Sequence, residues 1–135
     1  MKLAIRSLWY VLLLVLVSSC DSCKKDKPEA PGEANLIVSL HPAPSGRVTT
    51  LGATYDFQVK VDSPMPAQGV TVSVVYKKDS DATVVFSREY TTTTSPLNVQ
   101  ITSIPFNEVG TVTVVVTSKT RSHNTVTKTF QLVRK

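Results

Sequence analysis

Thr54-Tyr55-Asp56-Phe57-Gln58-Val59-Lys60-Val61-Asp62 alternates without a break. Tyr55, Phe57, Val59 and Val61 fall on one side, and Thr54, Asp56, Gln58, Lys60 and Asp62 on the other. Successive side chains of a strand point to opposite faces, so this period of two marks a half-buried β-strand. The same pattern recurs on both sides of it. Val70, Val72, Val74 and Tyr76 make a third strand, after the loop Ser63-Pro64-Met65-Pro66-Ala67-Gln68-Gly69. Lys78-Asp79-Ser80-Asp81 turns the chain into a fourth, Thr83 to Thr91, with Val84 and Phe86 expected inward and a polar second half suited to an edge. Leu97, Val99 and Ile101 make the fifth, Val112, Val114 and Val116 the sixth, and Val126, Phe130 and Leu132 the seventh. The first is Leu36 to Leu40, closed by His41-Pro42-Ala43-Pro44-Ser45-Gly46, since proline cannot donate to a ladder. Arg47 to Leu51 reads as a short edge piece resuming it.

No stretch keeps a helical period. Threonine and valine dominate, and their branched Cβ atoms suit a pleated surface. Seven short strands divided by turn residues predict an all-β, seven-stranded β-sandwich over residues 35–135. Val75, Val85 and Val115 interrupt the polar outer faces of the third, fourth and sixth strands. Together they are a candidate partner contact.

The N-terminal part has another character. Lys2 and Arg6 are followed by the uncharged run Leu8-Trp9-Tyr10-Val11-Leu12-Leu13-Leu14-Val15-Leu16-Val17 and by Ser18-Ser19-Cys20. A charged head, a short apolar run and small residues before a cleavage site make a secretory signal. The run is about half the ~20 residues that a spanning helix needs. Asp21 to Ala34 carries no large apolar residue and cannot offset the entropy of ordering, so it reads as a flexible tether. The resulting organisation is a leader over 1–19, a cysteine and tether over 20–34, and the sandwich over 35–135.

Ending in Cys20, the leader resembles a bacterial lipoprotein signal peptide, with Val17-Ser18-Ser19 in place of the usual residues before the cysteine. The resemblance implies that Cys20 becomes the first mature residue and carries a diacylglyceryl group and palmitate. It further implies a membrane-anchored envelope lipoprotein on the outer membrane of a Gram-negative bacterium, with the periplasmic or surface face left open. Several acyl chains hold a protein on a bilayer where one does not. Phe106-Asn107-Glu108-Val109-Gly110-Thr111-Val112-Thr113-Val114-Val115-Val116-Thr117 and Thr125-Val126-Thr127-Lys128-Thr129-Phe130-Gln131-Leu132 resemble late strands of bacterial immunoglobulin-like domains. Thr111 or Val112 stands where those domains place a corner tyrosine, and a fibronectin type III-like variant stays open.

Charge and chemistry narrow the function. The 135-residue chain, less the 19 residues before Cys20, leaves 116, one domain at most. Losing Lys2 and Arg6 takes the net charge from +5 to +3, spread without a block of like charges, which argues against nucleic acid. Cys20 and Cys23 both precede the domain, so no disulfide lies inside it. His41 and His123 lack Glu or Cys neighbours at metal-ligand spacing, and Asp79 and Asp81 fall short of the six to eight oxygens calcium takes. Asp79 and Asp81 read instead as turn residues that cap their own backbone. No Gly-x-Ser-x-Gly elbow and no phosphate loop occurs. The expectation is a non-catalytic interaction module without a cofactor, meeting an envelope protein or glycan, with a structural accessory subunit of a larger envelope assembly as the alternative. Strand counting places Ser63 to Gly69, Thr92 to Ser95 and Ser118 to Asn124 at the end where the chain enters. Gly46, Lys78 to Asp81 and Asn107-Glu108 are expected at the other end.

Overall fold

The computed structural model describes residues 32–135. Cys20, the leader before it and the tether as far as Pro31 lie outside the described residues. Eight strands follow in chain order: β1 (Val38–His41), β2 (Arg47–Thr50), β3 (Tyr55–Val61), β4 (Val70–Lys78), β5 (Val84–Thr92), β6 (Leu97–Ile101), β7 (Val109–Ser118) and β8 (Thr125–Arg134). They form two sheets, ordered β1-β3-β6 and β2-β8-β7-β4-β5. The fold is all-β, a sandwich of these sheets around one core.

The count is eight where the sequence pattern predicts seven. The edge piece after Gly46 does not resume the first strand. Pro42 and Pro44 interrupt the ladder, Gly46 takes a positive φ of 70°, and the chain crosses to the other sheet. There β2 runs parallel to β8, with Arg47 opposite Gln131 and Thr50 opposite Arg134. Every other strand pair is antiparallel.

The core is built from the alternating faces. Phe57, Val59 and Val61 of β3 meet Val70, Val72, Val74 and Tyr76 of β4 and Val112, Val114 and Val116 of β7. Burying such a side chain contributes about 1.5–3 kcal/mol, so many valines compensate for few aromatics. Tyr55, Phe57 and Phe130 cluster with ring centroids 5.7 to 6.0 Å apart. Ile104 closes the core from the β6–β7 loop, whose backbone bonds to Ala53. Val133 is also buried, although it lies on the opposite face of β8 from Leu132, between Val109 and Thr49.

Strand β5 departs from its expected register. Tyr76 faces Phe86, but the next pair is Lys77 with Val84, so Val85 is an extra residue in a bulge. Val84, expected inward, is therefore 49% exposed. Val85, expected on the outer face, instead packs partly against the core.

The described residues are held at their start as well. Glu33 and Ala34, expected in the tether, are hydrogen-bonded to the β7–β8 loop, and the compact unit spans Glu33 to Lys135. Registers place this loop, the β3–β4 loop and the β5–β6 loop at one end. The turns after β4 and before β7 lie at the other. Gly46 precedes Arg47, which shares a row with Gln131, Thr111 and Lys77, next to the turn after β4.

Candidate functional site

The outer face of the five-stranded sheet is the largest regular surface the registers define. Antiparallel partners share a face, so its rows follow from the pairing. One row is Thr91, Thr71, Thr117 and Thr125. The next is Glu89, Ser73, Val115 and Thr127, and the third is Ser87, Val75, Thr113 and Thr129. Across these three rows Glu89, on the edge strand, is the single charged residue.

Two of the three valines singled out in the sequence meet here. Val115 is opposite Ser73 and Val75 is opposite Thr113, which makes them diagonal neighbours across β4 and β7. Diagonal neighbours on a sheet lie roughly 7–8 Å apart, within reach of a common contact. Both are partly exposed in a frame of hydroxyls. Val85 does not join them, because the bulge turns it toward the core.

A fourth row bounds the face. It runs Val84, Lys77, Thr111, Gln131 and Arg47. Thr111 Oγ1 donates to Asp79 Oδ1 at 2.7 Å, Gln131 Nε2 donates to Asp79 Oδ2 at 3.3 Å, and Arg47 Nε donates to Gln131 Oε1 at 3.4 Å. Asp79 thus ties the β4–β5 turn to the sheet. Asp81 serves its own turn: it accepts from the Thr83 backbone N–H at 2.9 Å, and that bond chiefly holds its carboxyl below the usual range. Lys78 pairs with Glu108 at 3.0 Å, and the pairing raises the lysine above its ordinary value.

The other sheet carries a shallow groove of about 520 Å³. His41, Asp56, Gln58, Asn98 and Gln100 line it together with Pro42, Phe57 and Val99. Gln58 Nε2 donates to Asn98 Oδ1 at 2.8 Å, and Gln100 Nε2 to Asp56 Oδ1 at 2.9 Å. These bonds join opposite pairs on β3 and β6 and use part of the polar capacity of the groove. His123 is elsewhere, in the β7–β8 loop, within 3.0 Å of Arg121 Nη2. Among the described residues no cluster of three His, Cys, Asp or Glu side chains could hold a metal.

One arrangement was hidden in the sequence. Ser118 is the one buried polar residue among those described. Its Oγ accepts the backbone N–H groups of Thr120 and Arg121, both at 3.1 Å, and donates to Glu33 Oε2 at 2.9 Å. Asn124 donates to Glu33 Oε1 and to the Ala34 carbonyl and accepts the Leu36 N–H at 2.9 Å. The available signal was a lone acid shortly before the first apolar strand. Its partners lie 85 or more residues away, so no local pattern reveals them.

No protein-family model and no curated protein matches this chain.

Proposed function

We propose that the protein is a lipid-anchored lipoprotein of the bacterial envelope whose one immunoglobulin-like domain is a non-catalytic interaction module. It meets its partner through the outer face of β4, β5, β7 and β8. The observation that carries this is the row pattern of that face: valine at 75 and 115, with threonine and serine around them and one charge at the edge. Interface centres are poor in charged side chains, and desolvating this face removes few charges from water. Threonine and valine are stiff at χ1, so a partner orders little on binding. The immunoglobulin-like reading is supported by the placement of β5 beside β4 and by the parallel pairing of β2 with β8. The anchor at Cys20 rests on the charged head, apolar run and small residues before it.

Two experiments test the reading. Val115→Lys should abolish recovery of the partner after crosslinking in intact cells, while the urea midpoint stays close to that of the wild type. Unchanged recovery means the face is not the contact, and recovery of a fixed stoichiometric complex would favour a structural subunit of a larger assembly. For the anchor, the mass of the mature protein should begin at Cys20 with added acyl chains, and Cys20→Ala should leave the chain unprocessed or free of the membrane. An unmodified Cys20 in the mature wild type would overturn the lipoprotein reading.

A further inference from the structure

The start of the domain is held in an unusual way. Glu33 to Leu36 precede β1, and what holds Glu33 and Ala34 comes from the far end of the chain. Both carboxylate oxygens of Glu33 accept, one from Ser118 Oγ and the other from Asn124 Nδ2. Arg121 Nη1 donates to the Glu33 carbonyl at 3.3 Å. Asn124 reads the next residues through their backbone, accepting from Leu36 N–H and donating to the Ala34 carbonyl. Beyond Leu36 the hold changes character: Ile37 N–H reaches Ser63 Oγ at 3.3 Å, Asp62 N–H reaches the Ile37 carbonyl at 2.8 Å, and β1 then pairs with β3.

We propose that residues 33–36 form a latch, closed by the Glu33 carboxylate on the β7–β8 loop, that opens locally while the sandwich stays folded. The latch depends on charge and hydrogen bonding, whereas the sandwich depends on burial, and only Leu36 belongs to both. Segments with few buried apolar contacts open at lower free energy than the core. Resting on the anchored reading above, opening the latch releases four residues, up to ~14 Å of extended chain, from the domain.

The carboxylate is central because the donors face it from both sides. Protonated, or replaced by glutamine, the side chain would turn a donor toward a donor. Burial pushes the Glu33 carboxyl up, and the hydrogen bonds from Ser118, Asn124 and Thr120 with the charge of Arg121 bring it below the ordinary carboxylate range. A group depressed on folding contributes in full above its unfolded range, and the contribution is lost as pH falls through the folded value. Arg121 is the charged group that acts on it; Lys119 and His123 lie on the same β7–β8 loop, and Lys60 and Asp62 pair with each other at the end of β3. The β3–β4 loop, Ser63 to Gly69, carries no charged or titratable group.

Amide hydrogen exchange on the full chain tests the latch. Glu33→Gln and Asn124→Ala should each lower protection of the Leu36 amide by about tenfold or more at neutral pH, with the Val59 and Val114 amides unchanged. Wild-type protection at Leu36, corrected for intrinsic rates, should fall to the Glu33→Gln level as pH drops below the carboxylate range, and Glu33→Gln should stay flat there. Unchanged Leu36 protection in both variants would overturn the proposal. So would an equal loss at Val59 and Val114, which would make the segment part of the global fold. The N-terminal mass of the same preparation reports the state of Cys20 independently, so failure of the latch and failure of the anchor are separate results.

Discussion

Gly110 shows how one residue without a side chain can fix its neighbours. It sits in β7 opposite Lys78 and Leu132, and a Cβ there would collide with the Lys77 carbonyl oxygen and the Tyr76 ring. Tyr76 is fully buried, its hydroxyl 3.5 Å from the Leu132 carbonyl, and burial first, then the charges of Asp79 and Glu108, raises its hydroxyl above the ordinary value. Gly110→Ala should therefore destabilise the domain by about 1–3 kcal/mol or more, as overpacking does. Adding Tyr76→Leu should not restore the urea midpoint, because the clash with backbone remains. Full rescue by the second substitution would mean that the ring alone demands the glycine. In the sequence nothing marks Gly110 for this role. Its role depends on which residue lies opposite, and that is set by pairing across more than 30 residues of chain.

Strand β5 marks where alternation stops being a sufficient guide. For β3, β4, β6 and β7, one face is buried along the strand and a period of two identifies it. In β5 the bulge adds one residue and inverts the faces before Phe86. Two adjacent valines carry no mark of which is the extra one. Val84→Lys should then cost little, within about 0.5 kcal/mol, as for an exposed site. Val85→Lys should lower the urea midpoint clearly, because its side chain packs against the core. Equal shifts would contradict the bulge. β2 was half legible: its residues were identified, but its move to the other sheet depends on the turn at Gly46 and on β8 as a parallel partner. Glu33 and Ala34 read as tether because their composition is polar and their partners are remote.

As a whole the molecule divides its surfaces by chemistry. The outer face of β4, β5, β7 and β8 is mainly hydroxyl and valine, the groove over β3 and β6 sets amides and a carboxylate among apolar surface, and the β7–β8 loop holds Glu33 and Ala34. Phe106 and Leu51 remain exposed at the opposite end, where the Arg134 guanidinium lies 5.9 Å from the centre of the Phe106 ring. The fold class was legible because strand alternation is a local property repeated along the chain. The candidate face was legible only in part, because Val75 and Val115 become neighbours through pairing that no single segment encodes. The claim that this face meets the partner is open to direct measurement. A photoreactive amino acid placed at 115, and in a separate variant at 58 on the other sheet, would be activated in intact cells. The account predicts a discrete crosslinked species of higher mass from position 115 and none from position 58. Adducts from 58 alone, or from neither position, would contradict it.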